Sequence, residues 1–302
     1  MTTLLLLLSV AWPEAPAAEK VIELAKVKNP YGLVQGPDKK LYICSIDDHK
    51  IYRLDLKSKK LDEVVTGQNE PYEVRFDKQG NLFFVDMKAH VVKRRDKKTG
   101  ALTVVAGTGV EHMTPAVSPD GRLLVYARGT DAGTDLVALP LGGGEGRRIT
   151  VGRGRASTQP SFSPDGTRLA YMSDRSGHPE VYIADVDGAN AELLTAAAFG
   201  DRDYRASPDW SPDGRLVAFQ SRNGGTFQIM TINLRDQTVR QVTDVGRNDD
   251  PSWAPDSRHL VFTSSRSGAR QLWITDIETG RTRQLPCGSE CRLAAWSPRL
   301  AP

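Results

Sequence analysis

The sequence predicts an all-β fold, a six-bladed β-propeller whose blades are four-stranded antiparallel sheets. One observation is a short phrase beginning with proline that recurs along the chain at intervals of 41 to 48 residues. Periods in this range, with several short strands in each repeat, are typical of propeller blades. A second observation is that no apolar stripe of helical period follows residue 19. The 302 residues are enough for one propeller and little else.

The phrase is clearest in the last two thirds of the chain. Full copies occupy residues 160–166 (PSFSPDG), 208–214 (PDWSPDG) and 251–257 (PSWAPDS). A weaker copy begins at Pro115, and a truncated copy (AAWSP) occupies residues 294–298. The starts of successive copies are 45, 48, 43 and 43 residues apart, so the repeat unit has a nearly constant length.

Each repeat encodes four short strands. In the repeat that contains Pro160, an Asp-Gly pair supplies the first turn, because glycine tolerates positive φ at little cost. Residues 168–173 then alternate in character, and residues 181–184 are mostly β-branched or aromatic. Residues 192–195 form a shorter last strand.

The first third of the chain has the same repeat organisation with a different repeated sequence. Pro30, Pro71 and Pro115 are 41 and 44 residues apart, and strand-like segments follow each of the first two. We therefore expect a single propeller domain over residues 19–302. Its blades start near residues 30, 71, 115, 160, 208 and 251, and residues 293–298 are the expected closing strand.

The repeats in roughly residues 110–300 resemble TolB-type propeller repeats. The resemblance rests on the repeated phrase, on the hairpins at residues 173–177 (SDRSG) and 264–268 (SSRSG), and on the ending AAWSPRL. The repeats in roughly residues 29–109 resemble NHL repeats instead. These resemblances imply a propeller fold but say little about activity, because propellers host many unrelated functions.

Lysine and arginine divide the chain at one boundary. All 14 lysines lie at or before Lys98, whereas 22 of the 26 arginines lie after it. We interpret the boundary as a join near residues 99–114 between pieces from two sources, which makes the chain a hybrid or chimeric propeller. Propellers tolerate such joins because each blade packs mainly on its neighbours. Natural recombination and construction are both open as its origin, and the alternative is drift between repeats.

The two ends of the chain allow two ways of closing the ring. In a TolB-like ring the C-terminal strand completes the first blade, but here that blade already has an inner strand at residues 31–35. Either residues 21–27 or residues 281–285 edge the last blade. A surplus strand would leave an extra sheet edge, which is an aggregation hazard.

Residues 1–18 have the pattern of a secretory signal peptide. Residues 4–12 form an apolar core too short to span a bilayer, and residues 15–17 (APA) fit the small-residue cleavage pattern. The absence of Lys and Arg before this core departs from the usual pattern. We expect a periplasmic or secreted protein; the alternative is an uncleaved lipophilic tail.

The three cysteines have different expected roles. Cys287 and Cys291 are close enough in sequence to close a small disulfide in an oxidising compartment, and the pattern leaves open whether they do. Two thiols with no nearby histidine do not complete a metal site. Cys44 lies in a predicted strand, where we expect a small buried apolar residue.

The sequence contains no motif for catalysis or cofactor binding. It lacks a Gly-x-Ser-x-Gly elbow and a phosphate loop, and its net charge of +3 does not indicate a nucleic-acid partner. His49 and His90 occupy equivalent positions that would suit a metal at the channel mouth, but a site needs three or four ligands. We therefore expect both histidines to begin a strand, and we expect no metal or cofactor.

Arginines and acidic residues are mixed in the predicted loops between blades. Such loops gather around one mouth of a propeller channel, where Arg side chains bind carboxylates in bidentate fashion. The alternative is a solvated rim without a partner. The candidate partner-binding residues are Arg153, Arg155, Arg202, Asp203, Arg205, Arg247, Asp249 and Asp250.

Other recurring residues are interpreted as structural. Arginines in three matching hairpins are expected to be turn residues, and the repeated tryptophan is expected to pack in the core between blades. These residues are Arg175, Arg222 and Arg266, and Trp210, Trp253 and Trp296.

The leading functional prediction is a non-enzymatic protein-interaction scaffold of the cell envelope. The resemblance to TolB implies a protein or peptide partner, such as an envelope lipoprotein, at the channel mouth. The separate α/β domain of TolB has no counterpart in this sequence, so we expect a bare, monomeric propeller. The alternatives are a chimeric scaffold with no selected function and a metal-dependent lyase or lactonase that uses the channel.

Overall fold

The computed structural model consists of β-strands arranged in six four-stranded sheets and one two-stranded sheet. Consecutive strands pair antiparallel within each four-stranded sheet, which confirms the predicted six-bladed β-propeller. Among the described residues, no helix is long and apolar enough to cross a membrane. The structure describes residues 3–4, 25–28, 30–55, 57–77, 79–107, 115–131, 133–151, 156–195, 204–223 and 225–285.

The four strands of each blade follow one another in the chain. Two short strands, β1 (Thr3–Leu4) and β2 (Ala25–Lys26), precede them. The first three blades are β3–β6 (Pro30–Gln35, Leu41–Ser45, Lys50–Leu54, Leu61–Val65), β7–β10 (Pro71–Phe76, Leu82–Asp86, Val91–Arg95, Leu102–Gly107) and β11–β14 (Ala116–Val117, Leu123–Thr130, Gly133–Pro140, Arg147–Arg148). The last three are β15–β18 (Ser157–Phe162, Arg168–Ser173, Glu180–Asp185, Glu192–Leu193), β19–β22 (Tyr204–Trp210, Leu216–Asn223, Thr226–Asn233, Val239–Gln241) and β23–β26 (Asn248–Trp253, His259–Ser267, Ala269–Asp276, Thr282–Leu285).

The strand pairing distinguishes the two closure schemes at the last blade. Strand β26 pairs with β25, so the C-terminal alternative forms the outer edge of the sixth blade. The N-terminal strand β2 pairs with β1 instead. The first blade has its own first strand, β3, paired with β4. The predicted closing strand and the Cys287–Cys291 disulfide lie outside the described residues and stay predictions.

The middle strands of each blade form the hydrophobic core, because both of their faces are covered by neighbouring blades. All residues of β4 and of β8 are buried. One core cluster includes Val85 and Val92 of the second blade, Leu124 of the third and Tyr171 of the fourth. Apolar packing is therefore continuous from the second blade, in the lysine-rich part of the chain, to the third and fourth blades, in the arginine-rich part.

Several residues interpreted as structural have the expected environments. Trp210 and Trp253 are buried in clusters that join neighbouring blades, and Cys44 is fully buried. His49 and His90 lie in the hairpins just before β5 and β9, with left-handed φ angles of 55° and 51°. Each histidine thus occupies the last turn position before a strand, one residue earlier than the predicted strand start.

A β-bulge recurs in the first strand of five blades. The ladder shifts register at this point in β3, β7, β15, β19 and β23. One residue at each shift has a positive φ, and these residues are Gly32, Glu73, Gln159, Ser207 and Asp250. Because a bulge re-aims the side chains around it, it determines which groups face the propeller axis.

The bulges also align the two kinds of repeat more accurately than the prolines do. Pro71 lies two residues before the bulge at Glu73, whereas Pro160 lies one residue after the bulge at Gln159. The prolines that mark the two kinds of repeat are therefore not equivalent positions. The strands that begin the last three blades accordingly start at Ser157, Tyr204 and Asn248, a few residues earlier than the repeated phrase.

Gly188 lies where two neighbouring blades approach each other closely. Its φ is +87°, and a Cβ on it would lie 2.0 Å from the carbonyl oxygen of Ile149 in the third blade. Gly280 has a similar φ of +72°, but a Cβ on it would meet nothing within 4 Å.

We expect Gly280→Ala to lower the free energy of unfolding by about 1–2 kcal/mol, the ordinary cost of a left-handed L-residue. Gly188→Ala should cost clearly more in urea denaturation; equal losses would contradict the close approach.

Candidate functional site

The first strands of five blades line a channel with a volume of about 740 Å³. Four of the five bulge residues line this channel, all except Gly32. The residue two positions after each of these four lines the channel as well. Residues two apart on a strand share a face, so the wall carries two rings of side chains. The bulge ring consists of Glu73, Gln159, Ser207 and Asp250, and the second ring consists of Arg75, Ser161, Asp209 and Ser252.

Hydrogen bonds between blades hold the bulge ring. The backbone N–H of Ser207 donates to Oε1 of Gln159 at 2.9 Å, and Nε2 of Gln159 donates to the Ser207 hydroxyl at 3.3 Å. The Ser207 hydroxyl donates to Oδ1 of Asp250 at 3.4 Å. The backbone N–H of Asp250 donates to Oε1 of Gln220 at 3.0 Å. The fourth, fifth and sixth blades thus share one polar network at the channel wall.

The second ring connects the fourth and fifth blades to the repeated tryptophan of the following blade. The backbone N–H of Trp210 donates to the Ser161 hydroxyl at 3.2 Å. One blade later, the N–H of Trp253 donates to Oδ2 of Asp209 at 2.8 Å, and its indole N–H donates to the Asp209 carbonyl at 3.1 Å. The same contact is therefore made by a serine in one blade and by a carboxylate in the next.

Among its described lining residues, the channel carries more acidic than basic groups. Glu73, Asp209 and Asp250 face one cation, Arg75, whose Nη2 lies 3.4 Å from Oε2 of Glu73. Burial raises the pKa of Asp209 to about 6, although the N–H of Trp253 and the charge of Arg75 oppose the rise. Burial also raises the pKa of Glu73 against the charge of Arg75, and Asp250 adds to the rise. The channel is therefore a polar site with weakly acidic carboxyl groups.

The structure places Arg205 in the interior rather than at the rim. Its side chain is 1% exposed and forms an ion pair with Glu180 of the fourth blade. It also donates to the carbonyl of Thr195 at 3.3 Å, and Glu180 accepts a further hydrogen bond at 2.8 Å from Nε2 of His178. Arg205 therefore joins two blades and does not present its guanidinium to a partner.

Three other predicted rim residues occupy two different environments. Nε of Arg247 lies 3.1 and 2.9 Å from the two carboxylate oxygens of Asp249, and its guanidinium lies 4.7 Å from the Phe227 ring. Arg270 also approaches Asp249, at 3.5 Å. Asp250 belongs to the channel wall instead of the rim. The remaining candidates, Arg153, Arg155, Arg202 and Asp203, lie outside the described residues.

Most of the channel residues were not predicted from the sequence. Glu73, Gln159 and Ser207 were not among the candidates, although they lie in register with Asp250, and neither were Arg75 and Asp209 of the second ring. Their signal in the sequence was the alternation of polar residues around the start of each repeat. Among the described residues, no three His, Cys, Asp or Glu side chains converge as a metal site would require. The channel is therefore equipped for hydrogen bonding and charge recognition.

The raised pKa of Asp209 predicts a pH dependence of stability. The folded state binds this proton more tightly than the unfolded chain, whose Asp pKa is about 3.9. The contribution of Asp209 to stability should therefore fall as the pH rises from about 4 to about 6. Urea denaturation across this range should show wild type losing stability relative to Asp209→Asn. The control is Asp236→Asn, since the pKa of Asp236 is lowered by backbone contacts and it titrates below this range; parallel profiles for wild type and both variants would contradict the assignment.

The buried Arg205–Glu180 pair predicts a large stability effect. Arg205→Met removes the cation and leaves the Glu180 carboxylate buried, so we expect a loss of about 3–5 kcal/mol in the free energy of unfolding. The matched control is Arg168→Met, because Arg168 forms a more exposed pair with Glu192 at 2.9 Å and should contribute at most about 1 kcal/mol. Equal losses in urea denaturation would show that the buried pair does not tie the blades together.

Comparisons with known proteins agree with this architecture. The family model for the TolB beta propeller domain matches residues 81–300. The Tol-Pal system protein TolB of Francisella tularensis subsp. mediasiatica is 26% identical over 180 residues, covering 43% of this chain and 40% of that protein. The chain spans about two fifths of the length of the curated relatives it matches.

Solved structures with the same fold include proteins of different kinds. TolB from Acinetobacter baumannii is similar with a TM-score of 0.64 and 19% identity, over 85% of this chain and 63% of that one. An oligogalacturonate lyase in complex with manganese gives a TM-score of 0.67 and 18% identity, over 84% of this chain and 75% of that one. At these identities the similarity shows the fold alone. The family match covers more than half of the sequence, and the chain belongs to the TolB β-propeller domain family.

Proposed function

We propose that this protein is a non-enzymatic interaction scaffold of the cell envelope that binds a protein or peptide at the channel mouth. The observation that carries the proposal is the open polar channel, whose side chains lie on strands and are held by hydrogen bonds between blades. Groups that are already ordered before binding lose little conformational entropy when a partner arrives. Membership of the TolB propeller family supports this role, since the curated relative is named a Tol-Pal system protein.

The proposed contact surface is the rim of the mouth where the loops between blades gather. It includes Arg247 and Asp249, whose ion pair is half-exposed on the arginine side, and the proposed contact extends from this rim to Asp250 in the channel wall. Arg205 supports this rim from the interior through its pair with Glu180. The remaining residues that we propose for this contact are Arg153, Arg155, Arg202 and Asp203.

The proposal extends to location and origin. Residues 1–18 act as a signal peptide, and the mature protein is a monomer in the periplasm or outside the cell. Its first two blades are NHL-type and its last four are TolB-type, which makes the chain a hybrid propeller. The core cluster that continues from the second blade into the fourth supports a stable fold for such a hybrid.

An affinity experiment with the tagged full-length chain tests the interaction role. The chain is incubated with a bacterial envelope extract, and captured proteins are identified by mass spectrometry. We expect one saturable envelope partner that is lost in the double variant Arg155→Glu, Arg247→Glu, because reversed charges repel the partner group that arginine binds.

The control variant carries the same charge change at the opposite mouth. Arg122 and Arg215 lie in exposed hairpins between first and second strands, so Arg122→Glu with Arg215→Glu should leave capture unchanged. A partner that survives reversal at the predicted rim would place the contact elsewhere. A folded, monodisperse sample that captures nothing would contradict the interaction role.

A further inference from the structure

Three arginines project from equivalent hairpins at the channel mouth. They lie where the second strand turns into the third in the fourth, fifth and sixth blades, one in the hairpin itself and two near the end of the second strand. In the first of these the backbone N–H of Ala156 donates to Asp174, and in the last the N–H of Arg247 donates to Ser265. We call this set the mouth arginines, and its members are Arg175, Arg222 and Arg266.

Each mouth arginine lies over an aromatic ring of its own blade. The guanidinium of Arg175 is 4.3 Å from the Tyr182 ring centroid, and that of Arg266 is 4.8 Å from the Trp273 centroid. The guanidinium of Arg222 is 6.0 Å from the Phe227 centroid. Stacking of this kind restrains a planar guanidinium while leaving its N–H groups available at the edge.

The hydrogen bonds of the mouth arginines go to neutral groups. Nε of Arg175 donates to the Ser173 hydroxyl at 3.3 Å, and Nε of Arg266 donates to the equivalent Ser264 hydroxyl at 3.1 Å. Arg175 also donates to the hydroxyl of Tyr171. Nη2 of Arg266 donates to Oδ1 of Asn248 at 3.3 Å. The same device therefore orients two of these cations without neutralising them.

Three arginines at the opposite mouth are paired with carboxylates instead of neutral groups. Arg122 is 3.8 Å from a carboxylate of Asp120, and Arg215 is 3.6 Å from one of Asp213. Arg168 is paired with a carboxylate as well. Within the described part of the chain, none of the three mouth arginines forms an ion pair of this kind, and Asp244 influences Arg266 only through its field. The described part of this mouth therefore carries three positive charges that no ion pair of this kind offsets.

Two neighbouring groups of charged residues, an ion pair at the rim and the carboxyl groups of the channel, limit how a partner can bind this surface. Arg247 is already matched by Asp249, so it adds little net charge. The channel below carries Glu73, Asp209 and Asp250, which would repel an anionic group that entered it. An acidic partner segment would therefore lie across the rim, along the arc formed by three successive blades.

We propose that the mouth arginines bind an acidic segment of a partner protein, with its Asp or Glu carboxylates on the guanidinium edges. This inference rests on the proposed interaction role and names the chemistry of the partner. Arg suits the task because its fork of N–H groups matches a carboxylate in bidentate geometry. Because stacking already orders the guanidinium groups, binding costs less side-chain entropy than it would for free arginines.

A pair of triple variants tests the proposal with a defined probe. The probe is a fluorescein-labelled oligoglutamate peptide, titrated with the full-length chain at low ionic strength and followed by fluorescence anisotropy. We expect Arg175→Gln, Arg222→Gln, Arg266→Gln to raise Kd at least about tenfold, a change worth about 1.4 kcal/mol. The control, Arg122→Gln, Arg168→Gln, Arg215→Gln, removes the same net charge at the opposite mouth and should change Kd by less than about twofold.

The outcomes separate this inference from the proposed function. Equal weakening by the two folded triple variants would show that the probe senses only net charge, and would overturn the proposal; so would a wild-type chain that fails to bind the probe. If the variant that lacks all three mouth arginines still captures the envelope partner as well as wild type does, the scaffold role stands and the assignment of an acidic segment fails. Loss of that partner in the mouth variant alone would support both.

Discussion

The left-handed bulge in the first strand of the blades is the constraint on which the channel depends. A positive φ is costly for residues other than glycine, yet Glu73, Gln159, Ser207 and Asp250 all adopt it. Contacts between blades maintain it, as in the paired hydrogen bonds between Gln159 and Ser207. In the first blade the position is Gly32, where a Cβ would lie 2.7 Å from the Cα of Glu73. The bulge thus allows adjacent blades to pack closely and directs polar side chains to the axis.

Polar contacts between blades work together with the apolar core. Ser161 and Asp209 each accept the backbone N–H of a tryptophan in the following blade, and those tryptophans lie in the apolar clusters. Burial makes such hydrogen bonds necessary, because an unpaired polar group away from water is costly. The cost of ionising Asp209 in this setting explains why its pKa is high, and it links the stability of the ring to the charge of the channel.

Charge is distributed unevenly along the propeller axis. At one mouth Arg122 and Arg215 are paired with carboxylates, the described channel wall carries excess carboxyl groups, and at the other mouth Arg175 and Arg266 are held by neutral partners. Such an arrangement orients an approaching charged partner, since potentials at clefts are focused by the low-dielectric walls. The difference lies in which groups surround each arginine, because arginine itself is common at both mouths.

Local patterns in the sequence were enough to predict the number of blades, the order of strands and the burial of Trp210, Trp253 and Cys44. These features follow from repeat length, turn residues and alternation, which are local properties of the chain. Assembly of the ring was needed to show that Arg205 is interior and that Arg75 shares a channel with Asp209, whereas the stacking of the mouth arginines on aromatic rings depends on strand pairing within one blade. The physical reason is that the ring brings together side chains from different blades. Arg205 finds its carboxylate partner, Glu180, in the preceding blade in this way, and a local pattern in the sequence does not record such a neighbour.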